Sequence, residues 1–71
     1  MIKQLSTYWG DGEYSDRRAE VCRDDRGYFV QFFINDHFIE VRTLYEHSER
    51  YAEDAAENWT LGIIQTEENK E

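Results

Sequence analysis

The sequence predicts an α+β fold: a three-stranded antiparallel sheet and one C-terminal helix packed on one face, in the order β-β-β-α, with room for an extra N-terminal strand. Three observations predict it. Two turn signals, Asp24-Asp25-Arg26-Gly27 and Asn35-Asp36, divide residues 17–44, a meander rich in β-branched and aromatic side chains, into three strands. The registers set independently by those two turns send the same alternate side chains to one apolar side, and a slip of one residue would invert every one of them. Beyond the meander, residues 48–62 carry apolar side chains at helical spacing.

Taken in order, residues 1–12 form either an arm or a strand. Residues 2–9 mix apolar and polar types and end at Gly10-Asp11-Gly12, a turn signal that can close a strand or release a segment to fold back over the sheet. The first turn places Arg23 opposite Tyr28, Val21 opposite Val30 and Ala19 opposite Phe32. The second places Ile34 opposite His37 and Phe33 opposite Phe38; an uninterrupted ladder then sets Phe32 against Ile39, Gln31 against Glu40 and Val30 against Val41. The expected inner face is therefore Val30, Phe32, Ile34, Ile39 and Val41, joined by Ala19 and Val21. In the helix, Ser48 is the expected N-cap, Glu49 an acid in the first turn and Gly62 the C′ residue. Tyr51, Ala52, Ala55, Ala56 and Trp59 make one apolar stripe, and Trp59 with Ile63 should plug the end of the core. Residues 66–71 are polar and charged and read as a disordered tail. Residues 1–71 thus hold a single small domain.

One helix covers one face. The other is expected to carry Arg18, Glu20, Cys22, Phe29, Gln31, Phe33, Phe38, Glu40 and Arg42. Three phenylalanines among charges exceed the usual scatter of surface apolars, so Arg18, Phe29, Gln31, Phe33, Phe38 and Arg42 are the candidate partner-binding residues. The partner is a protein, or a second copy in a homodimer.

Composition narrows the function. Sixteen acids against eight bases give a net charge of -8, which repels nucleic-acid phosphates and membrane headgroups at long range. No run approaches the roughly 18 apolar residues that span a bilayer, and the first residues lack the apolar stretch of a signal peptide. Cys22 is the one cysteine, so an internal disulfide is impossible and a reducing, cytoplasmic setting is expected. His37, His47 and Cys22 fit no zinc spacing. Asp24-Asp25 and Glu53-Asp54 lack the ligand order of a calcium loop, and there is no glycine-rich phosphate loop. Ser48 beside His47 has no third group to orient a base, and capping accounts for the serine. No catalytic residue, metal, cofactor or small-molecule substrate is expected; the chain reads as a non-catalytic acidic protein-interaction module.

The stretch GYFVQFFINDHFIEVRTLYEHSERYAEDAAENW, covering about half of the chain, resembles the AP2-like DNA-binding domain at the N-terminus of phage integrases. There, too, an aromatic-rich hairpin precedes a helix that begins with Glu and Ala and carries a Trp. The resemblance implies a β-β-β-α fold whose open sheet face enters a major groove, with Arg18, Phe29, Gln31, Phe33 and Arg42 in the contacting positions. The segment YAEDAAENW also resembles small proteins of marine bacteriophages, which implies a phage-encoded accessory or host-modulating role in the cytoplasm of the host cell.

Overall fold

A computed structural model describes residues 1–62 and shows an α+β fold in which four antiparallel strands form one sheet beneath a C-terminal helix. The strands are β1 (Lys3–Trp9), β2 (Arg17–Asp24), β3 (Gly27–Ile34) and β4 (His37–Leu44); the helix is α1 (Glu49–Thr60). Each strand lies beside its neighbour in sequence, in the order β1-β2-β3-β4. Residues 2–9 therefore do not fold back over the sheet; they extend it along the free edge of β2, with Tyr8 opposite Ala19 and Trp9 opposite Arg18. Ile63 and residues 66–71 lie outside the described residues.

Both hairpins turn where the local chemistry requires. Asn35 and Asp36 have φ of 53° and 67°, the paired left-handed conformation that a two-residue hairpin loop adopts and that Asn and Asp tolerate. At the other turn the Asp24 carboxylate accepts the backbone N–H groups of Arg26 (2.8 Å) and Gly27 (3.2 Å). Gly27 has φ 139°, and a Cβ there would lie 2.9 Å from the Tyr45 carbonyl oxygen, so no side chain fits. The β2–β3 ladder follows the expected register throughout.

The β3–β4 ladder departs from it after two pairs. Ile34–His37 and Phe33–Phe38 stand as expected, but a bulge then sets Phe32 opposite Glu40, Gln31 opposite Val41 and Val30 opposite Arg42. One extra residue on β4 thereby exchanges its two faces. The expected inner positions of Ile39 and Val41 are thus corrected: both are exposed, while Leu44 is the β4 residue that is buried. The helix explains why this is tolerated. It lies chiefly over β1, β2 and β3, and β4 stands at its margin, reaching the core through Leu44. Along that margin Glu40 and Arg42 pair at 3.5 Å, and the Arg42 guanidinium lies 5.2 Å from the Phe32 ring centre, so its stem and head cover the core where the helix does not.

The core is Ala19, Val21, Val30, Phe32 and Leu44 from the sheet against Ala52, Ala56 and Trp59 from α1. The alanines let the helix approach closely, and Trp59, fully buried, stacks on Phe32 with ring centres 4.4 Å apart. Ser48 caps α1 through its side-chain oxygen, which accepts the Tyr51 N–H, and Gly62 follows the C-cap Leu61 with φ 79°. Arg17 fastens the other end of the helix. Its guanidinium lies between the Tyr14 and Trp59 rings, at 4.6 and 4.8 Å, and donates to the Trp59 carbonyl at 2.8 Å. The Trp59 indole N–H, by contrast, is buried without an acceptor among the described residues.

Candidate functional site

The face of the sheet turned away from α1 is built in rows, because directly paired residues of neighbouring antiparallel strands point the same way. The row nearest the β1–β2 loop and the β3–β4 turn runs through all four strands: Trp9, Arg18, Phe33, Phe38. The next is Thr7, Glu20, Gln31, Val41, and the third Gln4, Cys22, Phe29, Thr43.

In the first row the cation is held between aromatic rings. The Arg18 guanidinium lies 4.2 Å from the centre of Phe33 and 5.6 Å from that of Trp9. Its charge is matched twice, by Asp36 at 2.6 Å from Nη1 and by Glu20 at 3.3 Å from Nε. The Glu20 contact is an ion pair without the alignment of a hydrogen bond. Phe33 meets Phe38 edge to face at 5.9 Å. The ends of the row stand in solvent, Trp9 at 65% and Phe38 at 55% exposure, and Val41 in the next row adds 46%. These are large apolar surfaces with no cover from the described residues.

Of the six residues expected to bind a partner, four are together on this face: Arg18, Gln31, Phe33 and Phe38. Phe29 points the same way but is buried at 5% exposure, so it supports the face from within. Arg42 lies on the helix side, over Phe32, as a consequence of the β4 bulge. Trp9 and Val41 are additional members of the face. The sequence alone leaves Trp9 unplaced because its position depends on whether residues 2–9 pair with β2; its place immediately before Gly10-Asp11-Gly12 and eight residues ahead of Arg17 is the signal for that pairing. Val41 would point inward in an unbulged ladder, and the bulge turns it outward.

Burial, and after it the Glu20 carboxylate, push the Cys22 thiol above its ordinary value, so it is a poor nucleophile. On the helix side Glu53 accepts from Ser6 Oγ (2.7 Å) and from Tyr8 Oη; that second bond, aided by burial and by Glu53's charge, pushes Tyr8 up to about 12. This arrangement ties β1 to α1. His37 and His47 are both exposed, and His47 stacks on Tyr51 at 3.9 Å. Among the described residues no three His, Cys, Asp or Glu side chains converge to hold a metal ion, and no helix is long and apolar enough to cross a membrane.

No protein-family model, no curated protein and no solved structure matches this chain.

Proposed function

We propose that this domain is a non-catalytic, acidic protein-interaction module whose contact surface is the open sheet face, centred on Trp9, Phe33 and Phe38. The observation that carries this reading is the cross-strand row, in which solvent-exposed aromatic rings stand at both ends and the arginine between them is already neutralised within the chain. Exposed Trp and Phe at the centre of a patch are the side chains from which interface hot spots are made. A four-stranded face of this length measures roughly 20 Å by 20 Å, from a strand spacing of about 4.8 Å and a rise of about 3.3 Å per residue. About 400 Å² from each side lies at the low end of interface sizes, which favours a transient, reversible contact over an obligate one.

The test uses the two anchors that lie outside the core. A Trp9→Ser/Phe38→Ser double variant should keep the circular-dichroism spectrum and cooperative melt of the wild type, because neither ring is buried. Immobilised wild type is expected to capture a partner from lysate that the double variant does not. Equal capture by both proteins would place the contact surface elsewhere and end this reading.

A further inference from the structure

We infer that the occupant of the open face is a cationic protein segment, one that presents arginine or lysine beside an apolar side chain; this rests on the protein-interaction reading and names its partner class. The two chain reversals that border the Trp9–Arg18–Phe33–Phe38 row are acidic. Asp11, Glu13 and Asp16 stand exposed in the β1–β2 connection and Asp36 in the β3–β4 turn. The arginines at this end are both committed: Arg17 to Trp59 and Tyr14 on the helix side, Arg18 to Glu20 and Asp36 within the row. Net of those pairings, Asp11, Glu13 and Asp16 leave an excess of negative charge at this end of the sheet, beside the imidazole of His37.

The row itself shows which chemistry suits it. Arg18 is a guanidinium lying against Phe33 and Trp9 and closed by two carboxylates, and a partner's guanidinium stacked on the outer face of Trp9 would meet the same aromatic chemistry at an end of the sheet with excess carboxylates. A second copy of the chain is the poorer occupant, since each brings a net charge of -8 and the same acidic rim to the contact. A phosphate backbone is poorer still, because the one arginine on the row is already paired.

The experiment is a titration of the isotopically labelled full chain, followed by amide and indole resonances. The probes are two blocked octapeptides, one alternating Arg with Phe and one alternating Glu with Phe, and a short DNA duplex. The Arg/Phe peptide is expected to shift Trp9, Phe33, Phe38 and Val41 saturably, and to bind more weakly as salt rises from about 0.1 M to 1 M, where the screening length falls from about 10 to 3 Å. Trp9→Ala should raise Kd roughly tenfold, as loss of an aromatic anchor does. Amides at the three loop acids (Asp11→Asn, Glu13→Gln, Asp16→Asn), which keep the capping geometry, should raise it about threefold to tenfold, as expected for several partly screened charges. No shift from the Arg/Phe peptide overturns the inference. Equal binding of the Glu/Phe peptide at the same resonances overturns the cationic class and leaves the interaction surface standing. Face resonances that move on simple dilution assign the face to a second copy, and shifts from the duplex alone overturn the protein-interaction reading as well.

Discussion

Tyr8 shows how a single hydroxyl fixes the position of a strand. Its donation to Glu53, together with that from Ser6, is the polar connection that holds β1 under α1, and it makes the phenolate form costly beside a carboxylate. Because the folded-state pKa lies above the ordinary 10.0, the group's contribution to stability is fully present below pH 10 and is lost as pH rises through about 12. The ultraviolet difference titration between wild type and Tyr8→Phe should therefore show one phenol ionising near 12, and Glu53→Gln should return that midpoint toward 10. A midpoint near 10 in the wild type would mean that the hydroxyl is not held. The same residue explains why the first strand was ambiguous in the sequence. Ser6 and Tyr8 face inward, so the usual alternation of apolar and polar side chains is masked, and their polarity is accounted for only by Glu53, 45 or more residues further along.

At the level of the strand, the two hairpins were legible because their turns are local: Asn-Asp and Asp-x-x-Gly carry the left-handed conformations and side-chain acceptors that the reversal needs. The β4 bulge was not, because a bulge is a property of two paired strands and depends here on β4 lying at the margin of the helix. The residues whose side differs from the uninterrupted ladder, Glu40 and Arg42 on the helix side and Val41 on the open face, all follow from that single extra residue. It also has a testable mechanical meaning. Deleting Ile39 should preserve the pairs Phe32–Glu40, Gln31–Val41 and Val30–Arg42 while removing the bulge. The deletion is expected to cost on the order of 1 kcal/mol, a melting shift of about 4–8 °C for a domain this small. Deleting Gln31 from β3 instead inverts the faces of a central strand and should abolish cooperative unfolding. If the two deletions proved equally damaging, the bulge would not be the register-absorbing element described.

For the molecule as a whole, stability at roughly 0.05–0.15 kcal/mol per residue comes to about 4–11 kcal/mol. One side chain commands a large share of that. Trp59 is fully buried, stacks on Phe32, and supports the Arg17 guanidinium and the end of the helix. Trp59→Ala should cost about 3–5 kcal/mol, read as a lower denaturation midpoint in urea with little change in slope. A loss below about 1 kcal/mol would show that the helix is held mainly by its alanines and its cap. The apolar stripe on the helix made this role visible in the sequence, whereas the layer it completes on β2 and β3 required the fold.

The order of the elements has one more result. The four described strands precede the helix, and each pairs with its neighbour in sequence, so the sheet's pairings are local and favour fast folding. Val21, Val30 and Phe32 owe their cover to residues 49–60. The sheet carries apolar side chains on both of its surfaces, and the docked helix decides which of them stays available.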